Sequence, residues 1–320
     1  MPPRRALDYT GTIVEPIRTP SSSWIVAQVY GASVELWDGH TFQDAVLGGQ
    51  IKASADPRHT NALAVGDRVD VEPSGSGPVR VVARHERQTQ LERAANDPRS
   101  RVQIVAANAT RTLIVTSLRD PPFRPGLVDR WALLARRGGM EPWLCLNKVD
   151  LGTQADAERA VAEAAIPLTA LFLSAQTGWG VDELRAAVAG DTSVLVGHSG
   201  VGKSSILRLL VPGAEASTGD VSAKNKKGRH TTSSARLYPM PGGGVLIDTP
   251  GVRSVPLGRA EVGECASVFA EIADAPPCRF RTCTHRTEPG CSVLQGLEAG
   301  SVPRPVYARY RRLLEEAEVR

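Results

Sequence analysis

The chain has no long hydrophobic run. No apolar stretch approaches the roughly 18 residues needed to cross a bilayer, and no apolar signal core follows the basic residues near Met1. The sequence therefore predicts no membrane-spanning helix and no membrane partner, and we expect a cytoplasmic protein. It also contains no internal repeat.

Cysteine is scarce and odd in number, since the 320 residues include five cysteines. Cys278, Cys283 and Cys291 cluster, whereas Cys145 and Cys265 stand apart. An odd count without a secretory signal argues against a disulfide framework and for reduced or metal-bound thiols.

A strong charge of either sign is missing as well. The formal net charge is +4 and the sequence pI is about 8.9, a mildly basic balance that fits a nucleic-acid partner without indicating one. The basic residues are nevertheless concentrated, because one group lies between Lys224 and His230 and another between Arg304 and Arg312.

The pattern of the chain changes twice, and its length allows two or three domains. Residues 9–84 are short β-rich segments between turns, which predict a small barrel, and an OB-fold and a generic β-barrel fit equally well. The polar stretch 88–101 is interpreted as a linker. Strands and helices then alternate, as in an α/β parallel sheet covered on both faces. We predict three domains, at 1–90, 91–255 and 256–320, the last of them helical.

A phosphate-binding loop follows the apolar strand 193–196. Its G-x-x-x-x-G-K-S pattern consists of Gly197, His198, Ser199, Gly200, Val201, Gly202, Lys203 and Ser204, and Ser205 continues into a helix. Glycines let backbone N–H groups approach phosphates, and the helix N-terminus adds its positive dipole end. We expect Lys203 to pair with the β- and γ-phosphates and Ser204 to ligate Mg²⁺.

A guanine-reading N-K-x-D pattern, formed by Asn147, Lys148, Val149 and Asp150, lies upstream of that loop. Asp150 is expected to accept hydrogen bonds from guanine N1–H and the exocyclic amine, and Asn147 to support the loop and touch the base. Ser174 and Ala175 follow another strand and are expected to place a backbone N–H near guanine O6. Ordinary GTPases have the phosphate loop first. Because loops at the ends of parallel strands meet in space whatever the chain order, we interpret the chain as a circularly permuted GTPase that binds GTP and GDP.

The D-x-x-G element supplies Asp248, expected to hold Mg²⁺ through a water, and Gly251, whose N–H is expected to sense the γ-phosphate. Between the two phosphate elements lies G-R-H-T-T, where Thr231 or Thr232 is expected to close on Mg²⁺. The sequence does not say which of the two does so.

The residue after D-x-x-G is Val252, where many GTPases carry the glutamine that orients the attacking water. A valine side chain cannot hydrogen-bond water, so the sequence predicts slow unaided hydrolysis. The water-orienting group is then expected from His230, from His198 or from a partner, since histidine is a suitable general base near neutral pH.

A metal-binding pattern closes the chain. Cys278, Cys283, His285 and Cys291 follow the spacing C-x₄-C-x-H-x₅-C. Three thiolates and one imidazole supply the four ligands of a closed tetrahedral Zn²⁺ site, so the predicted role of this zinc is structural.

Together these motifs resemble the RsgA (YjeQ) family of circularly permuted GTPases. The resemblance runs from Q-I-V-A-A-N at 103–108 through the nucleotide motifs to the zinc spacing, and the N-terminal region matches mainly through G-D-R-V at 66–69. It implies an N-terminal OB-fold, a central permuted G domain and a C-terminal zinc-binding helical domain. It also implies late maturation of the 30S ribosomal subunit, contact with its 16S rRNA and GTP hydrolysis stimulated by that particle. This chain departs from the family pattern at Thr110, where family members often have Asp, and carries Gln176 at a variable place.

Two other readings stay open at this stage. Val252 keeps a nucleotide-gated RNA-binding adaptor with incidental hydrolysis in consideration, and the permuted motif order also occurs in GTPases of the large ribosomal subunit. The D-x-x-G element leads straight into the zinc-binding region, so we expect the nucleotide state to reposition that module and to gate docking and release. Nothing in the sequence suggests an obligate dimer, and we expect a monomer.

Overall fold

The computed structural model describes residues 24–53, 56–74, 77–93, 102–214, 235–251, 255–257 and 259–318. Its N-terminal part is a closed barrel of five strands, β1 Trp24–Tyr30, β2 Ser33–Trp37, β3 Phe42–Leu47, β4 Arg68–Ser74 and β5 Gly77–Arg84, with a short helix α1 Gly49–Ala53 after β3. Neighbouring strands are antiparallel except β3 and β5, which are parallel, and β1 pairs with β4 to close the barrel. This order is that of an OB-fold, which confirms the predicted barrel.

The central part is an α/β domain. Its strands are β6 Gln90–Arg93, β7 Gln103–Ala107, β8 Arg111–Ser117, β9 Glu141–Asn147, β10 Thr169–Phe172, β11 Thr192–Gly197, β12 Arg236–Pro239 and β13 Val245–Asp248. Its α-helices are α2 Pro125–Arg137, α3 Gln154–Glu163, α4 Val181–Val188 and α5 Lys203–Leu210, and a 3₁₀ helix spans Val149–Leu151. The sheet order is β10-β9-β8-β11-β13-β12, and only β12 runs antiparallel to its neighbour in this set. Strand β8 is buried along its whole length, as expected for a central strand covered on both faces.

The stretch interpreted as a linker differs from that expectation. Part of it is the strand β6, which pairs antiparallel with β7. The Leu91 side chain is fully buried in the core of the central domain, and the Gln90 N–H donates to the Gly138 carbonyl at 3.0 Å. One buried leucine among polar residues gives too weak a sequence signal for a strand.

The C-terminal part is helical. It contains a 3₁₀ helix Arg259–Val268, α6 Ala270–Ala273, α7 Ser292–Ala299 and α8 Arg304–Glu318. The 3₁₀ helix and α6 are separated by Phe269, whose buried ring meets Tyr310 of α8 edge to face at 6.2 Å. None of the helices in the described ranges is long and apolar enough to cross a membrane.

The barrel meets the central domain through backbone contacts. Gly66 has φ +92° and its Cα lies against the backbone of β7, because an added Cβ would stand 2.0 Å from the Ala107 carbonyl oxygen. The Asn108 side chain donates to the Gly66 carbonyl at 2.9 Å, and the buried Asp67 carboxylate accepts two hydrogen bonds from Arg87 at 2.6 and 2.8 Å. The G-D-R-V and A-A-N segments therefore form a domain junction.

Strand pairing joins the same two domains a second time. Gln28 of β1 pairs with Arg236 of β12, so the barrel and the central sheet form one continuous sheet of eleven strands within the described residues. The Arg236 guanidinium also lies 3.4 Å from the Glu35 carboxylate of β2.

The C-terminal module meets the central domain through charged side chains on α8 and α2. Arg309 donates to the buried Asp129 carboxylate through both Nε, at 2.9 Å, and Nη2. It also donates to the Ala165 carbonyl at 2.9 Å. The next residue on α2, Arg130, forms a second ion pair with Glu316 of α8 at 2.5 Å.

Candidate functional site

The nucleotide motifs converge at one edge of the central sheet. Strands β9, β10, β11 and β13 run parallel, so their carboxyl ends face the same way. Asn147 ends β9 and pairs in register with Ser117 of β8, while Gly197 ends β11 opposite Val115 of the same strand. Asp248 ends β13 opposite Leu195. The permuted chain order therefore leaves the motifs in the arrangement that nucleotide binding needs.

The Asn147 side chain joins three loops. Its Nδ2 donates to the Val201 carbonyl of the phosphate loop at 2.8 Å, and its Oδ1 accepts from the Ala175 N–H at 2.9 Å. An added Cβ on Gly202 would stand 2.2 Å from that Nδ2, so this glycine is required for the contact. Asn147 is buried and holds the two guanine loops and the phosphate loop in register. Its contact with a base stays a prediction.

Asp150 lines a cavity of about 400 Å³ beside this contact. The Ser174 hydroxyl donates to the Asp150 carboxylate and so orients that carboxylate. The same hydroxyl accepts a hydrogen bond from the Thr177 N–H at 3.1 Å. The other lining residues are Val149, Gly152, Thr153, Gln154 and Trp179. Sequence reasoning missed Thr153, Gln154, Thr177 and Trp179, although their positions beside the two guanine motifs were a signal for them.

Lys148 occupies the turn between β9 and the following 3₁₀ helix. Its backbone is left-handed, with φ 61°, and its ammonium group donates to the Asp120 carbonyl. The side chain is therefore held against the loop that follows β8.

Backbone carbonyls of the phosphate loop hold its lysine, and the contact of this lysine with phosphates stays a prediction. Lys203 is buried at the start of α5, and its Nζ donates to the carbonyls of Gly197 at 3.0 Å and His198 at 3.3 Å. Burial lowers the pKa of Lys203, against the opposing effect of the nearby Asp248 carboxylate. An ammonium group desolvated in this way is stabilised by an anion, and a phosphate would supply one.

The D-x-x-G element lies directly against the phosphate loop. A Cβ on Gly251 would stand 3.0 Å from Lys203 Nζ and 3.2 Å from the Ser199 Cα. The Thr249 hydroxyl donates to the Leu195 carbonyl at 2.6 Å and fixes this element to the neighbouring strand. Asp248 is buried beside it. A carboxylate and the Ser204 hydroxyl are oxygen donors of the kind that Mg²⁺ prefers, so these two residues fit that ion.

Among the predicted water-orienting and switch residues, only His198 lies in the part of the chain that the structure describes. His230, Thr231, Thr232 and Val252 lie outside the described residues. His198 is described, and its Nδ1 lies 2.7 Å from the Ser199 carbonyl oxygen of its own loop. The exposed Ser205 follows Lys203 and Ser204 in the first turn of α5.

The four predicted zinc ligands meet in the C-terminal module. The ligand atoms of Cys278, Cys283, His285 and Cys291 all lie within 4.8 Å of one another. Cys278 Sγ stands 3.8 Å from Cys291 Sγ, and His285 Nδ1 stands 3.5 and 3.4 Å from these two sulfurs. Ligands about 2.0 to 2.3 Å from a tetrahedral Zn²⁺ are roughly 3.5 to 3.8 Å apart, so the cluster has the dimensions of a zinc site.

Helix α8 and an acidic residue hold the loop that carries the imidazole. Tyr307 and Tyr310 donate to the carbonyls of His285 and Thr284 at 2.7 and 2.9 Å, while His285 has a left-handed backbone, with φ 55°. The Glu288 carboxylate accepts from the Thr284 hydroxyl and from backbone N–H groups, and these bonds hold its pKa well below the usual range. Burial lowers the pKa of His285 and so favours the neutral imidazole, the form that binds metal.

Comparison with known proteins agrees with this geometry. A family model described as RsgA GTPase matches residues 84–258. The small ribosomal subunit biogenesis GTPase RsgA of Azotobacter vinelandii is 37% identical over 300 residues, which cover 92% of this chain and 85% of that protein. YjeQ from Thermotoga maritima has a TM-score of 0.72 at 25% identity, covering 93% of this chain and 99% of that one. YloQ, described as a circularly permuted GTPase, has a TM-score of 0.67 at 21% identity, covering 94% and 96%, and supports the fold alone.

Proposed function

The chain belongs to the RsgA GTPase family and is a GTPase, and we propose that it hydrolyses GTP to assist the late maturation of the small ribosomal subunit. The observation that carries this proposal is the Asn147 side chain, which holds the guanine-reading loops against the phosphate loop. A site aligned in this way suits a nucleotide with a guanine at one end and phosphates at the other.

Within the site we assign each predicted residue one role. Asp150, oriented by Ser174, accepts from the guanine edge, and a backbone N–H of the segment 174–176 lies near O6. Lys203 contacts the β- and γ-phosphates, and Gly251 reports the γ-phosphate, which its closeness to Lys203 supports. When bound, Mg²⁺ would neutralise phosphate charge, with Ser204 as a direct ligand and Asp248 holding the ion through a water.

Hydrolysis is proposed to be slow without the 30S particle and faster with it. Val252 offers no hydrogen bond to water, so His230, His198 or a group of the particle supplies the orientation, and Thr231 or Thr232 closes on the metal. The same valine favours the second candidate function, an RNA-binding adaptor in which turnover is incidental.

The nucleotide state is proposed to control docking on 16S rRNA and release from it. Both outer modules attach to segments that are expected to sense the γ-phosphate. Strand β12, which follows the switch segment, pairs with barrel strand β1, and the D-x-x-G element leads into Val255, which packs in the core that the C-terminal helices share. Because α8 is docked on α2, the response we expect is a shift of packed elements rather than a free swing.

The decisive experiment is GTP turnover with Mg²⁺, alone and with added 30S, 50S or 70S particles. We expect slow turnover alone and strong stimulation by 30S. An Asp150→Asn variant is the matched control, because it should lose GTP turnover and gain turnover of xanthosine triphosphate that 30S still stimulates. Turnover indifferent to all particles would favour the adaptor, and stimulation by 50S alone would indicate the large subunit.

The C-terminal cluster is proposed to hold one structural zinc ion. Its ligand spacing fits Zn²⁺, and metal binding would contribute folding free energy to a short segment. Protein purified without chelator should carry about one zinc per chain. Cys283→Ser should lower the zinc content and Cys145→Ala, far from the cluster in the strand core, should not. Equal zinc content in the two variants, or none in the parent protein, would contradict the assignment.

A further inference from the structure

Trp179 is an aromatic side chain that the fold leaves in solvent beside the guanine-reading carboxylate. It is 45% exposed, although large apolar side chains are normally buried, and it lines the same cavity as Asp150. The indole therefore lies at the edge of the cavity that Asp150 also lines.

The exposure is not the result of a loose loop. The Ser174 N–H donates to the Trp179 carbonyl at 2.9 Å, and the Gly178 N–H donates to the Ser174 carbonyl at 2.9 Å. Gly180 has φ +74° and lies so close to the end of β10 that an added Cβ would stand 2.2 Å from the Phe172 carbonyl oxygen. The turn that carries Trp179 is therefore fixed by backbone contacts, and the Trp179 side chain lies at the edge of the cavity.

The rest of the cavity lacks an aromatic surface. Among its lining residues in the described chain, the indole is the only ring, and the others are Val149, Asp150, Gly152, Thr153, Gln154, Ser174 and Thr177. A guanine offers polar edges, which Asp150 can read, and two flat faces, which need apolar cover. Aromatic side chains stack on any base because every base has a π-face.

We propose that the Trp179 indole lies against one face of the guanine ring and raises affinity for guanine nucleotides without reading base identity. The inference rests on the proposed function, because it requires guanine in this cavity. It separates two tasks between neighbouring residues, since Asp150 selects guanine by its edge and Trp179 strengthens binding through the face.

The test is equilibrium binding by calorimetry, first of GDP to the parent protein. Trp179→Ala should weaken GDP binding roughly 5- to 30-fold, the lower part of the range for one base stacked on one ring. Trp179→Phe should restore most of the affinity. Inosine diphosphate, which lacks the exocyclic amine, should lose the same factor in Trp179→Ala as GDP does. Phe42→Ala removes a side chain of similar exposure, 43%, in the barrel and should change nothing.

Tryptophan fluorescence supplies a readout that a merely structural role would not move. The chain has five tryptophans, and saturating GDP should change the emission of the parent protein but not that of Trp179→Phe. Equal GDP affinity in the parent protein and in Trp179→Ala would overturn the inference and leave the proposed function intact. If the parent protein bound no GDP, the proposed function would fail together with the inference.

Discussion

The central domain is joined to its two neighbours in physically different ways. At the barrel the contact is made by backbone, because Gly66 presses against the Ala107 carbonyl and β1 pairs with β12. At the C-terminal module the contact combines a shared apolar core with buried charge, because Arg309 of α8 binds the buried Asp129 of α2 and a more exposed ion pair lies beside it.

This difference determines what each junction can respond to. The closest approach at the barrel is between backbone atoms and does not tolerate added volume, and the Asp67–Arg87 ion pair beside it is buried and therefore little affected by salt. A junction of ion pairs tolerates small changes of shape, but its strength depends on protonation and, where it is exposed, on ionic strength. The two modules should therefore separate from the central domain under different conditions.

The largest effect is expected from Gly66→Ala. The new methyl group would meet the Ala107 carbonyl oxygen at 2.0 Å in a left-handed backbone, and a cost of about 4 kcal/mol or more in unfolding free energy follows from the forced shift. Denaturant unfolding would measure it. Gly31→Ala is the matched control, because Gly31 has φ +70° but nothing within 4 Å, and should cost only about 1 kcal/mol. Equal costs would show that close packing does not define this junction.

Arg309→Ala should have the next largest effect. It should lower the free energy of unfolding by about 3 to 4 kcal/mol, because it leaves the buried Asp129 carboxylate without its partner. Arg309→Lys should lower the free energy of unfolding by a smaller amount than Arg309→Ala, since an ammonium group keeps the charge but cannot form the paired contact that the guanidinium makes. The same unfolding measurement applies. A loss below about 1 kcal/mol for the alanine variant would mean that the pair behaves like a surface ion pair.

The two junctions should also differ in their dependence on pH. Burial raises the pKa of Asp129 even with Arg309 in place, so the unfolded state loses this proton at lower pH than the folded state. Stability from this group is therefore present below the ordinary carboxyl pKa and is lost as pH rises through the raised value. Without Arg309 the decrease in unfolding free energy with rising pH should be larger. The destabilisation caused by Arg309→Ala should therefore grow between about pH 4 and neutrality. The cost of Gly66→Ala should stay constant over that range, and a parallel rise in both would argue against the assignment to Asp129.

The smallest effect is expected at the second ion pair. Arg130 and Glu316 are 25% and 33% exposed, and a double-mutant cycle to alanine should give a coupling of about 0.5 kcal/mol. The coupling should fall further at high salt, whereas the Arg309–Asp129 pair should keep most of its strength. If the coupling between Arg130 and Glu316 did not change with salt, the two ion pairs would not differ in solvent screening as we expect.

The sequence predicted the parts of the molecule that depend on short spacings. The phosphate loop, N-K-x-D, D-x-x-G and the Cys/His spacing each occupy a few adjacent residues, and the strand pattern before each motif indicated a parallel sheet. The domain boundaries near 90 and 255 stay predictions.

Contacts between distant residues were not predictable in this way. Asp129 and Arg309 are separated by 180 positions, and neither stands out among other charged residues on its own helix. The pairing of β1 with β12 rests on one register contact, Gln28 with Arg236, which no local pattern indicates. The G-D-R-V segment was noticed only as a resemblance, because its purpose appears when Gly66 meets the backbone of β7.

The contacts of Asn147 have a consequence for how the connectivity of such a chain can change. Its amide group fastens loops that come from positions near 147, 175 and 201, so alignment of the pocket is carried by side-chain hydrogen bonds rather than by the route of the peptide. Cutting the chain in a surface connection of this domain and rejoining it elsewhere would leave that fastening untouched. Gene rearrangement can therefore redistribute which flanking modules each end of the domain carries while the pocket itself is inherited whole.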